Sequence, residues 1–578
     1  MDAIKPLERP PCANINGSQN TNCSNDATST CSRCLLVMYC SPTCQAEHWS
    51  THKKDCKHKL RDQRWTLSNT PPGAERVTVP RSGNGQSLWK QVPAMDVLNV
   101  NDNEKSQGYA LAFADTEFEN LVLSINGLPK DYSGKLTILL NHESARRAAQ
   151  NLALLLLLAS QGSVTEAAEA ALHLWFSSFV QPASTQALTS TLQGVIEQSN
   201  SGDHFSQELH ENAFISGVLS KDALQILSTL GDLGYTTDEA RDQRNRVFFN
   251  PEETTHRLKQ YGHLDPSHRL ALEHFRGTGV VLPFGSSTST FSAINPFLFA
   301  TADANDEVWV QNDAVSPLEA WNRPTVVTVG QDYGCKREDI YGCLYFYLLD
   351  QLRTLATRLR SFNVQMHFYD RDGMKLCKDI QSGALADLGV PSDLHFDRID
   401  LSTILDTVDN DRRQELITTW GGLIKDSDQR ATMLGWTRFW VMHVPDATAP
   451  QNPDPRRPDP HISNMFSKLW EKNWVPRTIV VDPVIITGTF AVLDCVYDNS
   501  GPFVNYLQKS GTYAAAEKAK LRVRDVHSVV PQRLYVAVGS PYNALPDFAT
   551  PDDFYLSLRL TCDAIGESSV RWMEFGRT

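Results

Sequence analysis

The segment Cys31-Ser-Arg-Cys-Leu-Leu-Val-Met-Tyr-Cys-Ser-Pro-Thr-Cys-Gln-Ala-Glu-His-Trp-Ser-Thr-His-Lys-Lys-Asp-Cys56 determines how the first part of this chain folds. Its first and fourth residues form a Cys-x2-Cys pair, a tight turn that directs two thiolates at one metal ion. Cys40 and Cys44 are four residues apart, so they lie on one side of a helix. His52 and Cys56 repeat this spacing. Cysteines and histidine at these intervals are typical of a zinc site.

Two cysteines upstream raise the number of candidate ligands to eight. Structural zinc takes four ligands, so eight ligands predict two zinc ions with no open coordination position. A cluster of free thiols is the alternative, which the density and the spacing disfavour. The predicted metal ligands are Cys12, Cys23, Cys31, Cys34, Cys40, Cys44, His52 and Cys56.

Local charge is consistent with two zinc ions in this segment. Residues 1–65 contain nine Lys or Arg and six Asp or Glu, a net charge of +3. Seven thiolates with two divalent cations carry −3, which brings the segment to about zero. A segment of this size buries little apolar surface, whereas a structural zinc contributes about 10–16 kcal/mol of apparent binding free energy. We therefore expect folding of the segment to depend on metal.

The remaining composition describes a large acidic chain. It has 578 residues, a net charge of −13 and a pI of about 5.7, which disfavours a general nucleic-acid binder. The other five cysteines are scattered, as in intracellular proteins. No targeting segment is evident, and the most apolar run, residues 152–159, is far shorter than the ~20 residues that cross a bilayer. We expect the cytoplasm, the nucleus or both, without membrane association.

The N-terminal ligand pattern resembles a MYND-type zinc finger, and Tyr39, Gln45 and Trp49 agree with that pattern. Ten residues separate Cys12 from Cys23, a longer interval than in many members and similar to that of fungal ones. The resemblance implies interleaved sites. One zinc would be held by Cys12, Cys23, Cys40 and Cys44, and the other by Cys31, Cys34, His52 and Cys56.

The resemblance also implies what the finger binds. MYND fingers bind short proline-containing peptides of protein partners rather than DNA, and Gln45 and Trp49 match positions that line the peptide groove. The alternative for Trp49 is that its ring packs under the last helix as core.

The sequence after the finger predicts alternating strands and helices. Apolar runs predict strands over 109–114, 136–140, 364–369, 396–402, 477–484 and 534–538, and amphipathic patterns predict helices that include 117–126, 143–160 and 337–362. This alternation predicts a mostly parallel sheet. The predicted segments are 1–60 (finger), 61–90 (linker), 91–182 (first α/β segment), 183–285 (helical segment), 286–444 (second α/β segment), 445–460 (proline-rich loop) and 461–578 (C-terminal α/β extension).

This large body resembles a domain of unknown function that follows MYND fingers in fungal proteins and occurs in axonemal dynein assembly factor 3. The resemblance rests on residues 92–99, 126–134, 140–151 and 396–402. That family is distantly similar to class I methyltransferases. The resemblance therefore implies a small two-zinc cross-braced finger followed by an α/β, methyltransferase-like body with helical insertions.

Methyltransferase chemistry is poorly supported by the residues. A nucleoside cofactor requires a glycine-rich turn after the first strand and a carboxylate at the end of the second. The first predicted strand is followed by Asp115-Thr-Glu-Phe-Glu without glycine, and the second ends in Asn141-His142, with Glu143 next. Asp115 and Glu143 are better explained as caps of helix N-termini.

The sequence thus predicts a zinc-binding protein-interaction adaptor. The finger would recruit proline-containing partner peptides, and a non-catalytic methyltransferase-like body would act as a scaffold. Two alternatives remain open. One is an S-adenosylmethionine-dependent methyltransferase, and the other is a transcriptional coregulator that acts through protein partners without direct nucleic-acid contact. Whether the chain is an enzyme is left undecided.

Overall fold

A computed structural model describes the chain at residues 6–16, 23–63, 65, 87–100, 104–202, 204–231, 233–249, 261–301, 308–311, 315–426, 428–449, 460–475, 492–560 and 567–577. The chain divides into two compact units. Unit 1 contains residues 1–93, 153–193 and 227–357, and unit 2 contains residues 94–152, 194–226 and 358–578. Most of the predicted linker, residues 64 and 66–86, lies outside the described residues.

The helices follow the predicted positions closely where a prediction was made. The described α-helices are α1 (Pro42–Cys56), α2 (Phe118–Gly127), α3 (Ala145–Ala159), α4 (Val164–Phe176), α5 (Pro182–Ser201), α6 (Lys221–Thr229), α7 (Thr237–Phe248), α8 (Pro266–Thr278), α9 (Arg323–Asp332), α10 (Ile340–Leu359), α11 (Gly373–Gln381), α12 (Ile404–Thr407), α13 (Asn410–Gly421), α14 (Pro460–Glu471), α15 (Ser500–Lys509), α16 (Thr512–Lys518) and α17 (Pro551–Phe554). None of these described helices is long and apolar enough to span a bilayer.

The strands form one large sheet and two small ones. The described strands are β1 (Ser29–Thr30), β2 (Met38–Tyr39), β3 (Tyr109–Phe113), β4 (Lys135–Asn141), β5 (Phe179–Val180), β6 (Phe205–His210), β7 (Ala213–Val218), β8 (Ala293–Ile294), β9 (Asn363–Tyr369), β10 (Arg398–Asp400), β11 (Thr432–Thr437), β12 (Leu521–Val523) and β13 (Arg571–Arg577). The pairs β1–β2 and β5–β8 make the small sheets.

The large sheet belongs to unit 2 and is mixed. Its nine strands have the order β12-β13-β11-β10-β3-β4-β9-β7-β6. The six strands from β11 to β7 are parallel to their neighbours, whereas β13 is antiparallel to both β11 and β12, and β6 is antiparallel to β7. A sheet with a parallel centre and helices between the strands is what the sequence predicted.

The order of the strands reverses between β3 and β10. The chain continues from β3 to β4 and β9 on one side, and later returns to add β10 and β11 on the other. Open α/β sheets bind ligands outside the carboxyl ends of the strands at such a reversal. The segments that follow β3, β4 and β10 are therefore the place in unit 2 to examine for ligand chemistry.

Burial explains why the central strands are continuous apolar runs. All five residues of β3 are buried, as expected for a strand covered on both faces of the sheet. One face packs on apolar side chains of α11 and α13, among them Leu376 and Trp420, both 0% exposed. At the other end of the sheet a Cβ on Gly217 would lie 1.8 Å from the carbonyl oxygen of Phe368, so β7 approaches β9 as closely as it does only because this residue is glycine.

Two predictions of secondary structure are wrong. The segment 183–285 was predicted to be helical, but it contains the β6–β7 hairpin, which adds two strands to the sheet. The predicted strand over 534–538 is irregular instead, and Tyr535 has a φ of 63° that interrupts extended backbone. The strand predicted over 477–484 and residues 450–459 of the proline-rich loop lie outside the described residues.

Candidate metal centre and peptide-binding face

The β1–β2 hairpin positions the Cys-x2-Cys pair. Ser29 pairs with Tyr39 and Thr30 pairs with Met38 in antiparallel register. The backbone N–H of Cys31 donates to the carbonyl of Val37 at 2.9 Å, which closes the loop between the strands. Cys31 and Cys34 therefore lie at the tip of a short hairpin, where the turn brings their thiols together.

Helix α1 positions three further ligands, Cys44, His52 and Cys56. Its N-cap is Ser41, whose hydroxyl accepts from the backbone N–H of Cys44 at 3.2 Å, and proline occupies the first helical position. Cys44 thus lies in the first turn. His52 and Cys56 lie on the buried side of the last turns, one helical turn apart, as the spacing predicted.

The side chains meet in two groups of four, and in each group the candidate ligand atoms all lie within 4.8 Å of one another. In the first group the Sγ atoms of Cys23 and Cys40, and those of Cys40 and Cys44, are 3.5 Å apart. In the second group Cys34 Sγ lies 3.5 Å from His52 Nε2. The first group is Cys12, Cys23, Cys40 and Cys44, and the second is Cys31, Cys34, His52 and Cys56.

These distances fit tetrahedral zinc. Zinc–sulfur bonds of about 2.3 Å place two sulfurs about 3.8 Å apart, and a zinc–nitrogen bond of about 2.0 Å places sulfur and nitrogen about 3.5 Å apart. The second group is entirely buried. Two groups with four thiolate or imidazole donors each are suited to zinc, and the quartets contain the same residues that the resemblance implied. Among the described residues, no further group of three or more such side chains has this geometry.

The electrostatics of the metal-free quartets favour a bound cation. Burial raises the pKa of the Cys12 and Cys34 thiols to about 12. For Cys40, burial acts in the same direction, but the thiols of Cys23 and Cys44 outweigh it and lower the pKa to about 7. Burial lowers the pKa of His52 to about 4, so its imidazole is neutral and has a lone pair to offer a metal. The thiols of Cys12 and Cys34 are therefore protonated at neutral pH unless a bound cation favours the thiolate form.

The finger packs on other residues of unit 1. The Ser267 hydroxyl of α8 donates to the carbonyl of Cys34 at 2.8 Å, and a Cβ on Gly285 would lie 3.1 Å from the Cβ of Ala13. Leu36 and Val37 are each 1% exposed, although an isolated finger of this size has little apolar surface with which to cover them. Sequence analysis missed this contact, and the apolar Leu35-Leu36-Val37 run inside the finger was the signal that pointed to it.

The segment before the finger is also held in unit 1. The backbone N–H of Leu7 donates to the Tyr345 hydroxyl of α10 at 2.9 Å, and Arg353 pairs with Glu8 at 2.9 Å. The Tyr345 hydroxyl donates in turn to buried Glu169 at 2.6 Å. Contacts before the first ligand and among the ligand residues therefore hold the finger in place.

The two predicted peptide-binding residues lie on the outer side of α1. Trp49 is 39% exposed, and its ring makes an edge contact with His52 at 5.8 Å between centroids. Gln45, one helical turn earlier, is partly exposed. The alternative that Trp49 is a core residue is wrong, because a core indole would be almost fully buried.

In unit 2 the polar side chain that ends β4 forms three hydrogen bonds to the chain itself. Asn141 Nδ2 donates to the carbonyls of Ala114 at 2.8 Å and Arg371 at 2.9 Å, and Asn141 Oδ1 accepts from the backbone N–H of Arg371 at 3.2 Å. The amide therefore ties the segment after β3 to the segment after β9. Both N–H donors of the amide and one lone pair of its oxygen are thus occupied within the chain.

The two carboxylates beside it bind backbone N–H groups. Asp115 accepts from the backbone N–H of Glu143 at 3.2 Å and pairs with Arg147 at 3.0 Å. Glu143 accepts at 3.2 Å from the backbone N–H of Gly373, the first residue of α11. The prediction that both acids cap helix N-termini is confirmed for Glu143, which serves α11 rather than the helix that follows it. It is wrong for Asp115, because the N–H of Glu143 lies two residues before the first residue of α3.

Two family models of known proteins match parts of this chain. The family model described as "MYND finger" matches residues 20–56, and the model described as "Domain of unknown function (DUF4470)" matches residues 88–180. The chain therefore contains a MYND finger followed by a DUF4470 domain.

One curated relative, human Protein CBFA2T2, is 29% identical over 99 residues, which is 16% of this chain. The match spans 15% of the length of that relative. No solved structure matches the chain.

Proposed function

We propose that this chain is a zinc-binding protein-interaction adaptor whose finger holds two zinc ions and recruits proline-containing peptides. The observation that carries the proposal is the surface position of Trp49 beside two closed quartets of metal-ligand side chains. Four protein ligands per ion leave no open position for a substrate, so the zinc ions would be structural. The eight residues of the two quartets are the proposed ligands.

An exposed indole on a rigid helix is suited to peptide recognition. Tryptophan supplies a large apolar surface at a small cost in conformational entropy, and it dominates many interfaces. Proline-rich peptides dock on such rings because their extended backbone is already ordered. Gln45 lies beside the ring with an amide that can hydrogen-bond a peptide backbone.

Replacing Trp49 with alanine tests this proposal. We expect Trp49→Ala to weaken binding of proline-containing peptides roughly 30-fold, the effect of an aromatic residue worth about 2 kcal/mol. Binding is measured by fluorescence anisotropy with a panel of dye-labelled peptides, each with two or three prolines in a neutral sequence. Zinc content is measured in parallel, and we expect both ions to be retained.

The matched control is Phe214→Ala, which removes another exposed aromatic side chain, 44% exposed, from strand β7. This variant should bind the panel like the natural protein. Equal binding by the Trp49→Ala protein, or failure of every peptide in the panel to bind the natural protein, would contradict the proposed function.

We further propose that unit 2 is methyltransferase-like and non-catalytic. In chain order, β3, β4, β9, β10, β11, β12 and β13 have the spatial order that class I methyltransferases use, with the last strand antiparallel. This order supports the resemblance. The hydrogen bonds of Asn141, Asp115 and Glu143 support the absence of catalysis, because these groups already bind the chain itself at the reversal point.

Calorimetric titration of S-adenosylmethionine into the zinc-loaded chain tests this second proposal. We expect no saturable heat at the highest soluble concentration of ligand. Saturable binding would contradict it and direct attention to the segment after β3. An adaptor in a transcriptional coregulator complex would bind its partner through the same finger, so the peptide experiment tests that alternative as well.

A further inference from the structure

Five cations surround the end of helix α1. Lys53 and Lys54 lie in its last turn, Lys57 is its C-cap, and Lys59 follows. Arg33 joins them from the β1–β2 hairpin, because the Arg61 guanidinium donates to the carbonyls of both Cys56, at 2.7 Å, and Arg33, at 2.6 Å. We name this set the basic rim, and its members are Arg33, Lys53, Lys54, Lys57 and Lys59, all exposed.

The basic rim keeps an excess of positive charge over the neighbouring acids. Within the described part of the chain, none of its five members takes part in an ion pair. Asp55 of α1 is partly buried, and its carboxylate interacts electrostatically with neighbouring Lys54. Asp62 is exposed and lies three residues beyond Lys59. Glu47 lies about two helical turns before Lys54 and accepts from the Asn14 side chain at 2.8 Å. The zinc site of Cys31, Cys34, His52 and Cys56 would add only one negative charge, since three thiolates exceed one divalent cation by one.

A purely structural use explains only part of the basic rim. Cations in the last turn of a helix stabilise it through the helix dipole, which accounts for Lys53 and Lys54. It does not account for Arg33 on the hairpin or for Lys59 beyond the helix end. Five unpaired exposed cations repel one another, and this repulsion is relieved when an anionic partner binds.

The basic rim is continuous with the proposed peptide-binding face. Lys53 follows Trp49 by one helical turn, and Lys57 follows Lys53 by one more, so these side chains lie along one side of the helix. A peptide that contacts the indole and extends toward the C-terminal end of α1 passes directly over the cations.

We propose that the basic rim binds acidic residues that flank the proline-containing segment of the partner, an inference that rests on the proposed function of the finger. Carboxylate side chains complement the five cations in charge and raise the association rate by steering. A nucleic acid fits less well. The whole chain carries −13 and residues 1–65 carry +3, so the remaining sequence carries −16 and repels a long polyanion.

Two matched peptides test the proposal. The tightest-binding peptide of the panel is extended by a run of four glutamates in one version and four glutamines in the other, and both are titrated by anisotropy into the zinc-loaded full chain. We expect the glutamate version to bind about tenfold more tightly at low ionic strength, since exposed ion pairs contribute modestly and add together. The difference should shrink when salt shortens the Debye length to about 3 Å near 1 M.

Charge substitutions assign the effect to the basic rim. Lys53→Glu/Lys57→Glu should abolish the advantage of the glutamate peptide and leave the glutamine peptide bound as before. Lys53→Gln/Lys57→Gln should reduce the affinity advantage of the glutamate peptide by at least half. This variant remains informative if the charge-reversed protein loses zinc. The control, Lys221→Glu, alters an exposed lysine at the start of α6 and should change neither affinity.

The possible results separate the two proposals. Equal affinity for both peptides, with Trp49 still required, would contradict the proposal that the basic rim binds acidic flanking residues. It would not contradict the proposal that the finger binds proline-containing peptides. Failure of both peptides to bind would overturn both. A third result is that the natural protein binds a short DNA duplex, the Lys53→Glu/Lys57→Glu protein does not, and the natural protein shows no preference for the glutamate peptide. This result would show that the basic rim binds nucleic acid and would overturn the proposal.

Discussion

Substitution of Cys34 by serine is expected to remove zinc from the second quartet and to unfold the finger. Cys34 is 1% exposed, and its Sγ lies 3.5 Å from His52 Nε2 in the second quartet. A serine hydroxyl is a poor zinc ligand at neutral pH, and a structural zinc contributes about 10–16 kcal/mol of apparent folding free energy. We expect zinc content to fall from two ions per chain to one or none.

Because the finger packs on other residues of unit 1, its unfolding should also lower the stability of those residues. The Cys34 carbonyl accepts from Ser267 of α8, and Leu36 and Val37 are covered within unit 1. Loss of the finger would expose these apolar residues and leave the buried Ser267 hydroxyl without this partner. We therefore expect the thermal unfolding midpoint of the full chain to fall as well, which differs from the expectation for a finger on an isolated tether.

The measurements are zinc content by mass spectrometry and thermal unfolding by circular dichroism. The control is Ser32→Ala, an exposed position in the same loop that carries no ligand and should leave both quantities unchanged. Unchanged zinc content in the Cys34→Ser protein would show that the second quartet does not hold metal as proposed.

Replacement of Glu574 by alanine is expected to destabilise unit 2 by about 3–5 kcal/mol, the cost of removing one partner from a buried charged network. Glu574 lies in β13 and is 0% exposed. Its carboxylate accepts from the backbone N–H groups of Ser528 at 2.9 Å, Val529 at 2.7 Å and Val530 at 2.9 Å, and from Arg524 at 3.3 Å. Alanine would leave three backbone donors and one guanidinium without this acceptor.

Two control variants distinguish loss of the buried network from a general effect of replacing a glutamate. Glu574→Gln keeps the shape and one acceptor oxygen, so it should cost less than the alanine variant. Glu517→Ala removes an exposed glutamate from α16 and should change stability by less than about 0.5 kcal/mol. Denaturant unfolding measures all three. A Glu574→Ala protein as stable as the Glu517→Ala protein would show that the network contributes nothing.

The sequence predicted most of the elements that have a strong pattern. The run over 136–140 and the helix over 143–160 correspond to β4 and α3, because burial on both faces makes strands uniformly apolar and long helices keep their periodicity. The β6–β7 hairpin was missed because Ser206 and Glu208 are exposed on the edge strand and Gln207 between them is also polar. Such a polar run lacks the apolar alternation that marks a strand. The run over 534–538 is apolar for another reason, since Leu534 packs into the core without pairing into a strand.

The candidate site was predictable to the extent that it is local. Ligand spacing identifies Cys31, Cys34, Cys40 and Cys44 because each pair lies within one turn of chain. The docking of the finger was not predictable in this way. Ser267 and Gly285 are more than 200 residues from Cys34 and Ala13, the finger residues that they approach, and no local pattern marks them. The exposure of Trp49 also depends on which surfaces the neighbouring helices cover.

The hydrogen bond between Ser267 and the Cys34 carbonyl has a thermodynamic consequence. Because α8 contacts the folded finger, metal binding and the stability of α8 are linked, and linkage is reciprocal. A molecule that stabilises the docked arrangement must raise zinc affinity by the same factor by which zinc raises the affinity for that molecule. The amount of zinc that the finger retains against a chelator is therefore also a report on what is bound elsewhere in unit 1.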